Sequence, residues 1–124
     1  DFADWERTYR GLLDQARQAN PALKIVLCTP FAAPCGKIVE GALGEYYPLR
    51  QRILAQCCVI VERIAADYGA TLVPFHRLIA DLETRLPNGD ATYWVWDGIH
   101  PTPAGQRLMA DCWIGAAARS GVME

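Results

Sequence analysis

Lys24-Ile25-Val26-Leu27-Cys28-Thr29 decides the architecture. The run is short, β-branched and nearly continuous in apolar character. A strand with one wet face alternates apolar and polar residues. A strand covered on both faces of a parallel sheet reads as an unbroken apolar run, as this one does. A second such run, Thr71-Leu72-Val73-Pro74-Phe75, follows later in the chain. Pro74 has no N–H to give to a ladder, which places the end of that run at an edge or at the mouth of the sheet.

Helical patterns surround the two strands. Phe2, Trp5, Tyr9, Leu12, Leu13 and Ala16 recur at the spacing of one apolar helix face over residues 1–20, and Asn20-Pro21 ends it. Pro48 suits the first turn of a second helix, whose core stripe reads Leu49, Ile53, Cys57, Ile60, Val61, Ile64 and Tyr68, with Gly69 as its C-terminal cap. His76 to Leu86 reads as a short helix closed by Pro87-Asn88-Gly89. Thr102 and Pro103 open a last helix to about Arg119, with Leu108, Met109, Cys112, Trp113 and Ala116 as its buried stripe. Strands alternating with helices imply βαβ crossovers, a parallel sheet and an α/β fold. Residues 30–44 form a loop after the first strand, at the carboxyl edge where open α/β sheets bind ligands. Only two strands are legible, and so small a sheet calls for something else to complete it.

The 124 residues are enough for one small domain. With 52% hydrophobic and 21% charged residues, the chain is globular rather than disordered. A net charge of −2 and the lack of any Lys/Arg run exclude a nucleic-acid footprint. No stretch approaches the roughly 18 apolar residues of a membrane span. The five cysteines are odd in number and form no C-x-x-C pair, which argues against a disulfide framework and a cysteine-rich zinc site. They read as small buried hydrophobes in a reducing cytoplasm. The chain opens on Asp1 inside a helical pattern, and the expectation is of a missing N-terminal piece.

Asp97-Gly98-Ile99-His100-Pro101-Thr102-Pro103-Ala104-Gly105 is the segment best suited to chemistry. Gly98 permits a tight turn, and Pro101 and Pro103 stiffen the chain beyond the histidine. An Asp three residues before a His can supply both the acid and the base of a triad locally. Taken by itself, the same spacing also fits an Asx turn with a capping histidine.

Extended to Trp96, the segment resembles the last sequence block of the SGNH (GDSL-type) hydrolases, in which an Asp-x-x-His-Pro stretch before the final helix carries the acid and base. The similarity extends back through Thr29-Pro30-Phe31, Pro34, Gly36, the helix from Tyr46 and Arg50 to Tyr68-Gly69-Ala70, and the strand to Phe75. It implies a three-layer, flavodoxin-like fold, here incomplete. It also implies Asp97 as triad acid, His100 as general base, a small acyl ester as substrate, and no metal or organic cofactor. The family's Gly-Asp-Ser, Gly and Asn blocks are absent, and Ser120 is the one serine. The resemblance therefore implies an esterase fragment, inactive alone.

Pro30, Phe31, Cys35, Trp94 and Trp96 are candidates to line a substrate pocket. Cys35 could in principle replace the serine, but nothing marks a lowered thiol pKa. His76 reads as a polar residue at a helix start, since two histidines fall short of a zinc site. The pairs Asp81/Glu83 and Glu62/Asp67 read as solvated helix faces. The alternative to a hydrolase fragment is a non-catalytic assembly module. An open sheet edge invites pairing, so a homo-oligomer or a complex with the missing piece is expected.

Overall fold

A computed structural model describes residues 1–85 and 91–123. The order is α1 (Phe2–Ala19), β1 (Val26–Cys28), a 3₁₀ turn (Gly36–Val39), α2 (Gly41–Glu45), α3 (Tyr47–Asp67), β2 (Thr71–Val73), α4 (Phe75–Arg85), a second 3₁₀ turn (Ala91–Tyr93) and α5 (Pro103–Arg119). The two strands are parallel, with Val26 opposite Thr71, Leu27 opposite Leu72 and Cys28 opposite Val73. Backbone bonds extend the pairing at both ends, from Thr71 N–H to Ile25 O (2.9 Å) and from Thr29 N–H to Val73 O (3.1 Å). The α/β layering expected from the two apolar runs is present.

The C-terminal half of α3 supplies the main core. Ile60, Val61, Ile64 and Ala65 pack on Ile25 and Leu27, with Tyr9 and Leu13 of α1 at the margin. Burying each large aliphatic chain here contributes roughly 1.5–3 kcal/mol. The predicted stripe is wrong in the first half of that helix, where Leu49 and Ile53 are exposed. The helix runs past the short strands there, and Tyr47, Gln51, Leu54 and Cys58 turn inward toward a cavity instead. Gly69 ends the helix in the left-handed region (φ 57°), and Ala70 N–H reaches back to Ala65 O.

The apolar face of α1 is also less covered than its spacing predicts. Tyr9, Leu13 and Ala16 are half-buried, while Phe2, Trp5 and Leu12 stay exposed. Only one edge of the stripe meets α3. Ion pairs from Arg10 to Asp67 and from Arg63 to Glu6 fix the helix there, so Asp67 is a bridging residue rather than a purely solvated one. The last helix is capped as expected, with Gly105 N–H donating to Thr102 Oγ1 (3.1 Å). Its predicted stripe is half-buried at Leu108, Met109, Cys112 and Trp113, and buried at Ala116.

The stretch 30–44, read as a plain loop, contains the first 3₁₀ turn and α2. The stretch Thr92–Trp96 forms the second 3₁₀ turn and an isolated antiparallel bridge between Val95 and Pro101. The turn expected at Pro87-Asn88-Gly89 lies outside the described residues. Among the described residues, no helix is long and apolar enough to cross a membrane, and no disulfide joins the cysteines.

Candidate active site

The segment from Trp94 to Thr102 is a narrow loop folded back on itself. Thr102 N–H donates to Trp94 O (2.9 Å) and Trp96 N–H to His100 O (3.2 Å). The Thr102 hydroxyl donates to Tyr93 O (2.6 Å) while its oxygen caps α5, so one side chain ties the loop to the helix.

Asp97 divides its carboxylate between two tasks. Oδ1 accepts the backbone N–H groups of Ile99 (3.0 Å) and His100 (2.8 Å), and Oδ2 lies 2.7 Å from His100 Nδ1. The Asx turn and the Asp–His pair, alternatives in the sequence, coexist. The His100 backbone N–H, with the His100 ring and the Ile99 N–H, holds the Asp97 carboxyl down at about 2. An ionised Asp97 makes Nδ1 the donor, which leaves the neutral ring's lone pair on Nε2. The Asp97 side chain is 14% exposed and that of His100 67%, so the acid is tucked in and the base is open. The Trp96 ring stacks near His100, with centroids 6.1 Å apart at 23°.

The loop after β1 holds this segment from behind. Ala33 N–H donates to Gly98 O (2.9 Å), and the Cys35 thiol donates to Val95 O (2.9 Å). Gly98 (φ 90°) faces Ile38 and the carbonyls of Ala33 and Cys35, and Gly36 (φ 61°) lies against the Asp97 backbone. Sequence reasoning missed Gly36 and Ile38 as supports. Their partners lie some sixty residues on, and only the clustering of glycines in both loops hinted at close approach.

The pocket candidates separate. Pro30 and Phe31 line a cavity of about 420 Å³ between the loop after β1, α3 and α4, which Asp97 and His100 do not line. Cys35 and Trp94 pack with Ala33, Ile79, Ala91 and Val95 in a second core cluster. Trp96 is on the surface beside His100. His76 lies in the first turn of α4, where its ring Nδ1 is 2.7 Å from the buried Thr29 hydroxyl and its backbone N–H donates to the same oxygen. Burial pushes the His76 pKa below the ordinary imidazole range. Glu62 pairs with Arg77 and approaches His76 Nε2 at 3.7 Å. Glu83, read as part of a solvated face, instead lines the cavity, and burial raises its carboxyl pKa. Among the described residues no three His, Cys, Asp or Glu side chains converge as metal ligands.

The sequence profile of the GDSL-like lipase/acylhydrolase family matches residues 1–108. Among solved structures, a protein from Parabacteroides merdae described as a GDSL-like lipase superposes with a TM-score of 0.74 at 29% identity over 91% of this chain. The chain spans 48% of that protein's length. No curated protein matches it. With most of its length inside the family profile, the chain belongs to the GDSL-like lipase/acylhydrolase family.

Proposed function

We propose that these residues supply the acid and base of a serine ester hydrolase acting on small acyl esters. The observation that carries this reading is the 2.7 Å contact between Asp97 Oδ2 and His100 Nδ1, with the far side of the imidazole open. His100 Nε2 takes the proton of a serine hydroxyl as its oxygen attacks the ester carbonyl. The same proton then goes to the departing alcohol. Water deprotonated by His100 cleaves the acyl-enzyme and releases the acid. Asp97 fixes the tautomer and stabilises the imidazolium formed in each half-reaction.

The serine comes from outside residues 1–124. Ser120 caps the end of α5 beside the first residue of β2, and its hydroxyl accepts from Thr71 (2.6 Å) and donates to Ala117 O (3.1 Å). The Asp97 loop is held by residues beyond the end of β1, at the other edge of the sheet. Cys35 is buried with its thiol on Val95 O, which argues against it as the attacking group.

Hydrolysis of p-nitrophenyl acetate tests both parts. The 124-residue chain alone should match the buffer rate. Joined to a half-domain carrying the family's Gly-Asp-Ser block, it should hydrolyse the ester, and His100→Ala should lower kcat by about 10³-fold or more. Hydrolysis by the chain alone that is lost in His100→Ala would contradict the external nucleophile. Hydrolysis that survives His100→Ala would contradict the whole reading.

One observation favours assembly as a second role. Among the described residues β1 and β2 pair only with each other, so the outer edge of β1 has unpaired backbone groups. Light scattering should then show a species larger than the 13.7 kDa monomer, with dissociation on dilution. A monomer at every concentration argues against it.

A further inference from the structure

The cavity between α3, α4 and the loop after β1 has a chemical character that the ester-hydrolase reading does not use. Its walls are mainly apolar, with Phe31, Pro34, Leu54 and Ile79 among them, and its volume of about 420 Å³ is that of a small-ligand site. Among the described residues, no lysine or arginine lines it. Burial lowers the pKa of His76, which disfavours its cationic form. On α4, Arg77 is engaged by Glu62 (2.5 Å) and Arg85 by Asp81 (2.9 Å).

That leaves Glu83 as the one carboxylate in the lining, without a hydrogen bond or ion pair among the described residues. It faces Tyr47 closely enough that its charge adds to burial in raising the phenol's pKa. Tyr47 is held in place by Gln51, whose amide also donates to Ala32 O (3.0 Å). A half-buried carboxylate in an apolar wall is costly until a cation or donor meets it. The rings of Phe31 and Tyr47 add faces that favour a cation.

We propose that this cavity binds a small amphiphilic cation, an ammonium group on a short apolar tail, with the ammonium at Glu83 and the tail along Phe31, Leu54 and Ile79. An anionic amphiphile of the same length meets an uncompensated like charge, and a neutral one leaves Glu83 unpaired. The site is separate from Asp97 and His100, neither of which lines it. It adjoins them through the loop after β1, since Phe31, Ala32 and Pro34 face the cavity while Ala33 and Cys35 hold the Asp97 segment.

Calorimetric titration of the full 124-residue chain with hexylammonium chloride and with sodium hexanoate tests the proposal. Saturable binding of hexylammonium is expected, with hexanoate much weaker and Glu83→Gln reducing hexylammonium affinity about tenfold. The thermal melt of the variant serves as the folding control. Equal affinity for the two ligands, an unchanged affinity in Glu83→Gln, or no saturable binding of hexylammonium would overturn it.

Discussion

Gly98→Val is expected to destabilise the chain more than any other single change in the Asp97 loop, by roughly 3–5 kcal/mol. Two costs combine. The backbone at Gly98 has φ 90°, a conformation that a β-branched residue adopts only under strain. An added Cβ would also stand 2.0 Å from Ile38 Cγ2, 2.7 Å from Cys35 O and 2.8 Å from Ala33 O. Ile38 is itself fully buried and its Cγ2 methyl sits directly on the branched Cβ, so it has little room to turn aside, and the two carbonyls belong to the backbone that holds the loop. Relief therefore requires parting the two loops and breaking the Ala33–Gly98 hydrogen bond. A small domain has only about 5–15 kcal/mol to lose, so the melting temperature should fall by more than about 10 °C. Gly11→Ala provides the contrast. Gly11 lies inside α1 with nothing near its missing Cβ, and alanine there should stabilise by about 0.5–1 kcal/mol. Thermal melts of the two variants should move in opposite directions. A Gly98→Val protein as stable as the parent would mean that the loops are not interlocked.

The Asp97–His100 pair was legible in the sequence because both residues lie within one turn. A carboxylate, a glycine and an imidazole at that spacing can meet without help from the rest of the chain. The strands were legible for a similar reason, since unbroken apolar runs need no distant partner to declare themselves. What supports the pair was not legible. Gly36 and Ile38 meet Asp97 and Gly98 across some sixty residues, and no local pattern encodes that approach. The same limit explains the errors on α1 and α3. Periodicity identifies an apolar face, but not where along the helix a neighbour covers it. So the pattern assigns Leu49, Ile53 and Phe2 to a core that ends before it reaches them. Glu83 failed in the opposite sense. Its charge suggested solvent, and only the approach of the loop after β1 and of α3 turns its side into a cavity wall.

Asp97→Asn should leave the fold nearly intact and remove catalysis, with kcat lowered about 10⁴-fold and KM little changed, in any active assembly containing these residues. The asparagine Oδ1 can still accept from Ile99 and His100 N–H, so the turn keeps its two backbone hydrogen bonds. The change falls on the other atom. Where Oδ2 now accepts from His100 Nδ1, the amide presents a donor, and the ring answers by placing its proton on Nε2. A ring protonated at Nε2 has no lone pair for the serine proton, and no negative charge remains to stabilise the imidazolium. The acid limb of stability should change as well. The parent carboxyl is lowered to about 2 from its ordinary value of 3.8, so its contribution is present above the ordinary carboxylate range and is lost as pH falls through about 2. The amide that replaces it has nothing to titrate, so that part of the acid-induced loss should disappear from the variant's melts. The two readouts separate orientation from scaffolding. Lost activity in a stable protein identifies Asp97 as the residue that positions the base. Lost stability at neutral pH would make it chiefly a turn residue, and retained activity would remove it from the triad.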